Sequence, residues 1–195
     1  MRRATHNPLT TAAVLSLLAA PALAAPADLP AGWFKAGSHP EQYEMGLDEN
    51  VRRPGGKSSA TVWGKGLSQG FGTLMQTSQP GQYSGRRIRL SGWVKSEKVT
   101  DWAGLWLRID GASDKVLGFD NMQGRPIKGT TDWTRYEIVL DVPPDTVRLA
   151  FGLMLTGRGQ VWMDDLSFEV VTTSVNTTGQ LMNGPPAPTN LNFEK

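Results

Sequence analysis

Apolar and polar residues alternate with period two in several short stretches of this chain. That period marks β-strands with one face on a core and the other toward water. In residues 87–95, Ile88, Leu90, Gly92 and Val94 share one face, and Arg87, Arg89, Ser91, Trp93 and Lys95 share the other. In residues 102–110, Leu105, Leu107 and Ile109 point inward, whereas Trp106, Arg108 and Asp110 point outward. Tyr136, Ile138, Leu140 and Val142 form a third row, and Val147, Leu149, Phe151, Leu153 and Leu155 a fourth. The fourth strand ends at the Gly-rich turn Thr156-Gly157-Arg158-Gly159, and together with residues 160–171 it reads as a β-hairpin. Weaker strands fall at 43–47, 60–63, 71–76 and 116–119, separated by Pro and Gly. No window carries apolar residues at three-and-four spacing between helix caps. The pattern therefore predicts an all-β fold of the β-sandwich or jelly-roll kind.

The two ends break the alternation. Arg2 and Arg3 precede an apolar run over residues 9–20 and a small-residue stretch ending Ala22-Leu23-Ala24. This is the form of a secretory signal peptide over residues 1–24, with the mature chain starting at Ala25 and residing in the periplasm or outside the cell. The apolar run is shorter than the roughly 20 residues a spanning helix needs, so membrane insertion of the mature chain is not expected. Residues 25–171 form the expected β-sandwich domain, and residues 172–188 are polar, Pro-rich and without period, as in a linker. Residues 189–195 contain the alternating Asn190-Leu191-Asn192-Phe193-Glu194, a terminal strand.

Charge narrows the partners. The chain has 20 Lys+Arg against 18 Asp+Glu, and without Arg2 and Arg3 the two counts are equal. Both signs are interspersed, whereas a nucleic-acid partner calls for a clustered positive face; none is expected. There is no cysteine, hence no disulfide and no lipidated thiol. About 170 mature residues suit a single domain with a sizeable core.

Three segments carry a family resemblance. Residues 131–143 contain Thr131-Asp132-Trp133 and end at Val142-Pro143, residues 147–155 are the strand named above, and residues 159–169 contain Gly159-Gln160-Val161-Trp162-Met163-Asp164-Asp165-Leu166. With Leu90-Ser91-Gly92-Trp93-Val94-Lys95 upstream, they resemble the galactose-binding-like jelly-roll modules, best known as the carbohydrate-binding modules of bacterial cellulases and xylanases. Such modules commonly open with an Asn-x-x-Phe-Glu strand. Here that motif stands at residues 190–194, so the terminal strand is expected to complete the sheet in a permuted position. The resemblance also implies a structural calcium held by Asp164 or Asp165 with Glu194, since Ca²⁺ takes six to eight oxygens. The same Asp pair equally suits a strand end that caps a turn.

Sugars present apolar C–H faces to aromatic rings and hydroxyls to polar side chains. The candidate ligand surface is therefore Trp106, Arg108 and Asp110 on one strand, Trp93 and Arg89 on its sequence neighbour, and a wall from the loop carrying Asp120, Asn121 and Arg125. The grouping requires the two strands to share a sheet. An outward Trp beside an Arg also serves simply as a cross-strand or cation–π contact. Catalysis is not expected: past the leader only His39 offers an imidazole, and no nucleophile-elbow or zinc-helix motif is present, which leaves glycoside hydrolysis by a carboxylate pair such as Asp110 and Asp120 as the lesser alternative. No cofactor is required beyond the calcium considered above. The expected function is non-covalent binding of a carbohydrate or glycan-like ligand, with a periplasmic protein as the alternative partner.

Overall fold

The computed structural model describes residues 28–66 and 69–179. The expected leader, the terminal strand at 189–195 and Glu194 lie outside them. Nine strands follow in order: β1 Phe34–Gly37, β2 Tyr43–Asp48, β3 Ser59–Gly64, β4 Phe71–Ser78, β5 Arg86–Asp110, β6 Val116–Asp120, β7 Ile127–Val142, β8 Arg148–Thr156 and β9 Gly159–Val171. The only helical pieces among the described residues are three 3₁₀ turns of three residues each. No described helix is long and apolar enough to cross a membrane.

β5 organises the molecule. Its first half pairs with β7 on one side and β9 on the other, and its second half pairs with β8 and β6. One 25-residue strand thus serves two sheets. The first sheet runs β2-β3-β9-β5-β7 and the second β1-β4-β8-β5-β6. All of these pairings are antiparallel, and the two sheets enclose one core. The jelly-roll sandwich expected from the alternation is the observed fold, but the stretches at 87–95 and 102–110 are halves of a single strand.

The change of sheet is written in the phase of the alternation. Ile88, Leu90 and Val94 face the core at even positions, whereas Val99, Ala103, Leu105, Leu107 and Ile109 face it at odd ones. Between them Lys98 adopts φ of +52°, and the register to β7 shifts on either side of Val99. One extra residue in a strand reverses every later side chain, which is what a β-bulge does.

One further expectation needs correction. β8 and β9 do not form a hairpin: β8 pairs with β4 and β5, and β9 with β3 and β5. The turn after Thr156 is an arch between the sheets. Gly157 and Gly159, at φ of +76° and +117°, allow its tight path. Within the expected linker, residues 172–179 are held against the sheet. The Thr178 N–H donates to the Val139 carbonyl at 2.9 Å, and Thr178 Oγ1 accepts from the Val139 N–H at 2.8 Å. Arg87 Nη1 donates to the carbonyls of Thr173 and Val175. Residues 172–179 are a strap along the edge of β7, and through Thr178 they pair both backbone groups of Val139, which an open edge leaves free.

Candidate functional site

Each sheet has an outer face, and the residues expected to form one surface are divided between them. Trp106, Arg108 and Asp110 point away from the core on the second sheet. Trp93 and Arg89 point away from it on the first, on the opposite side of the sandwich. The single-surface grouping is therefore corrected. Alternation along β5 distinguishes inside from outside, and a sandwich has two outsides.

On the first sheet these side chains are engaged with neighbours. The Arg53 guanidinium lies 4.4 Å from the centroid of the Trp93 ring and donates to Asp165 Oδ2 at 2.8 Å. Arg89 pairs with Glu137 at 3.2 Å and Glu169 at 2.8 Å. Trp162 is buried, with its indole N–H on Asp48 Oδ2 at 2.9 Å. Of the candidate calcium ligands, Asp164 and Asp165 lie near this face, and Glu194 is outside the described residues. Asp164 Oδ1 accepts the Asp165 N–H, while Asp165, at φ of +54°, is held by Arg53. Among the described residues no three carboxylates or imidazoles gather where a cation would sit.

The second outer face is different in kind. A cleft of about 260 Å³ lies on it, lined from β1 by Ala36 and Gly37, from β4 by Phe71, Thr73 and Met75, and from β8 by Met154. Trp106 and Arg108 of β5 and Phe119 of β6 complete it. Trp106 is only 6% exposed and forms the floor with Ala150 and Met154. Its indole N–H donates to Thr73 Oγ1 at 2.7 Å, reaching across β8, and the Thr73 hydroxyl donates in turn to the Leu153 carbonyl at 2.9 Å. The half-buried rings of Phe71 and Phe119 and the side chain of Met75 rise around it.

Arg108 provides the charge at the cleft. Its Nε lies 2.8 Å from Asp110 Oδ1, and its Nη2 donates to Oδ2 at 3.1 Å. Asp110 is 1% exposed and is gripped from the other side by Arg148, whose Nε donates to Oδ2 at 2.9 Å. Arg148 also reaches Asp114 at 2.9 Å, and its hydrogen bonds to Asp114 and Asp110 raise its pKa above the ordinary arginine value. Asp110 is thus a buried anchor for two guanidinium groups rather than a group free to meet a ligand.

The loop after β6 adjoins the cleft. Asp120, Asn121, Gln123, Gly124 and Arg125 line a second depression of about 270 Å³ with Thr178 of the strap, and Phe119 borders both hollows. Asp120 receives two bonds from Arg125, at 3.1 and 2.8 Å, and the Met122 N–H at 2.8 Å. The structure thus brings Asp120, Asn121 and Arg125 beside Trp106 and Arg108, and leaves Trp93 and Arg89 apart.

Phe71, Thr73, Met75, Met154 and Phe119 were not among the expected site residues. For Met154 the signal lies in the sequence of β8, Arg-Leu-Ala-Phe-Gly-Leu-Met-Leu-Thr, where apolar residues occupy both alternating rows. A strand apolar on both faces is covered on both. His39, the single imidazole among the described residues, lies in the loop before β2 with Ser38 Oγ at 3.3 Å from Nδ1.

The chain has a jelly-roll β-sandwich fold of the kind seen in carbohydrate-binding modules. Among solved structures it is similar to the CBM22-1 xylan-binding domain of Paenibacillus barcinonensis Xyn10C, at 13% identity and a TM-score of 0.55, covering 74% of this chain and 89% of that one. The enzymatically active domain of bacteriophage CBA120 tailspike protein 4 matches at 14% identity and a TM-score of 0.57, over 72% of this chain and 20% of that one. Likeness at such identity carries the fold alone. By sequence, the chain is 47% identical over 169 residues to an uncharacterized HTH-type transcriptional regulator of Bacillus subtilis (strain 168), YbfP, covering 84% of this chain. The chain spans 57% of the length of that curated relative. No family model matches the chain.

Proposed function

We propose that this chain is a non-catalytic carbohydrate-binding module whose ligand lies in the cleft on the outer face of the second sheet. The observation that carries the reading is the cleft itself: an apolar floor of Trp106 and Met154, walls of Phe71, Met75 and Phe119, and one guanidinium at its side. Concave sites lined by apolar side chains with a few placed polar groups are the usual form of small-ligand sites. The fold, shared with xylan-binding domains, supports the same reading. Phe119 continues the surface toward the polar loop hollow, which suits a ligand of several sugar units.

The test is titration of the purified chain against a glycan array, with hits confirmed by calorimetry. Phe119→Ala should weaken a confirmed ligand at least several-fold while leaving the melting temperature close to that of the parent. Trp93→Ala, on the opposite face, should leave affinity unchanged. Loss of affinity in Trp93→Ala with retention in Phe119→Ala would place the ligand on the wrong face for this reading.

The similarity to the Bacillus regulator favours a second role for the same cleft, as the ligand-recognising part of a longer regulator. The described chain has no helix beyond single 3₁₀ turns, so in this role the β-sandwich senses and another segment contacts DNA. An exported module and a regulator domain differ in location. Cell fractionation with mass measurement of the N-terminus separates them: a mature chain beginning at Ala25 outside the cytoplasm supports export, and an intact leader in the cytoplasm supports the regulator.

A further inference from the structure

We infer that the cleft takes a carboxylate-bearing sugar, a uronate unit, in preference to a neutral one; this rests on the carbohydrate reading above. Among the described lining residues only Thr73, Trp106 and Arg108 carry polar side-chain atoms. The Trp106 N–H is committed to Thr73, and the Thr73 hydroxyl, in a side chain 3% exposed, has its proton on the Leu153 carbonyl and its oxygen on the indole. What faces the cleft with free hydrogen-bonding capacity is Arg108, whose side chain is 39% exposed and whose Nη1 is not used by Asp110.

Arginine donates and never accepts. The nearest carboxylate, Asp110, is 1% exposed: Oδ2 accepts from both Arg108 and Arg148, and Oδ1, 2.8 Å from Arg108 Nε, is buried without a hydrogen bond and out of a ligand's reach. Side chains of the cleft therefore offer donors and apolar surface but no free acceptor. A neutral sugar is dense in hydroxyls, each of which brings a proton that needs an acceptor once water is excluded. A carboxylate brings acceptors alone, and its two oxygens match the guanidinium fork. Two guanidinium groups share the buried Asp110, and Asp114 pairs with Arg148, so the four groups are formally balanced. What Arg108 offers a ligand carboxylate is its unengaged Nη1 donor and the planar fork it belongs to.

The probes are oligogalacturonate and oligoglucuronate, each paired with the same oligomer after reduction of its carboxylates to primary alcohols. They are titrated into the full chain and into Arg108→Gln and Arg108→Lys, with thermal melts to confirm that each variant is folded. The expected result is that an acidic oligomer binds about tenfold or more tightly than its reduced partner, as charge-assisted pairing to a guanidinium predicts. That preference should fall with rising salt, collapse in Arg108→Gln and survive in part in Arg108→Lys. Equal binding of acidic and reduced partners, or a preference kept in folded Arg108→Gln, overturns the inference and leaves the carbohydrate reading standing. If no acidic or neutral glycan binds, the carbohydrate reading falls, and this inference with it.

Discussion

The indole nitrogen of Trp106 lies 2.7 Å from the hydroxyl of Thr73, two strands away, with β8 between them. The first sheet has a counterpart in Trp162, tied at 2.9 Å to Asp48 across β3. On each outer face a tryptophan is held against the sheet by its one polar atom, so ring position is fixed by a hydrogen bond as well as by packing.

Replacing Thr73 by Val removes the acceptor and leaves the indole N–H buried without a partner. The expected loss is about 1–3 kcal/mol of unfolding free energy. Trp106→Phe loses packing and the donor together, and the double variant should cost less than the two single changes added, because they break one bond. Denaturant unfolding of the four proteins gives the cycle. Strict additivity would mean that the bond contributes nothing.

That pair also marks how far the sequence carries. The inward rows of β5 are legible in the alternation, and so is the break at Lys98, where even inward positions give way to odd ones. Which sheet each half joins is not legible, because parity records a side chain's face and nothing of the strand's neighbours. For that reason the outward Trp93 and Trp106, on opposite faces of the sandwich, are indistinguishable in the alternation. The turn at Gly157 and Gly159 misleads in a similar way, since the same residues close a hairpin or an arch between sheets. In β8, Ala150 lies between the inward Leu149 and Phe151 and Met154 between the inward Leu153 and Leu155, and their apolar character is the trace of the covered second face. The strap at 172–179 escaped because its hold on β7 is made by backbone groups and Thr178, which no hydrophobic period reports.

Tyr43 predicts a dependence on alkaline pH. Its hydroxyl donates to the Gly70 carbonyl at 3.0 Å and accepts from the Gly157 N–H at 3.2 Å, tying the loop before β4 to the arch between sheets. Burial raises its pKa above the ordinary 10.0; the Gly157 bond opposes this, and the charge of Asp101 adds to it. A folded-state pKa above the unfolded one means that the contribution is whole below the unfolded value and is lost as pH climbs through the folded one. The melting temperature of the parent should therefore fall more steeply above pH 10 than that of Tyr43→Phe, which should start lower and decline less. Parallel curves would show that another group governs alkaline unfolding.

Asp110 predicts an order of effects around the cleft. Asp110→Asn leaves two guanidinium groups facing each other over a neutral amide, and removal of one partner from a buried pair costs about 3–5 kcal/mol. Both arginines are 39% exposed at the side chain, so water screens part of the repulsion and the lower end of that range, or below it, is expected. Arg108→Gln should cost least, because Arg148 still holds the carboxylate by two contacts at 2.9 Å. Chemical denaturation of Asp110→Asn, Arg148→Gln and Arg108→Gln should rank them in that order. A larger loss in Arg108→Gln than in Asp110→Asn would show that Arg108 holds the sheet through contacts other than this pair.

The strap predicts where the domain can be cut. Ending the chain after Val171 removes the Thr178 bonds to Val139 and the two carbonyls that receive Arg87, and bares the edge of β7. Arg87 keeps Asp141, at 2.8 and 2.9 Å, so its charge remains paired. The loss should come from the uncovered edge, whose free N–H and C=O groups invite pairing with a second chain. A chain ending after Val171 should melt lower than one ending after Gly179 and form larger species as its concentration rises, seen by light scattering. Thr178→Pro in the full chain removes the donor at 2.9 Å and the hydroxyl that accepts from Val139, and should reproduce most of the defect. Equal melting and equal scattering for both truncations would show that residues 172–179 rest on β7 without stabilising it.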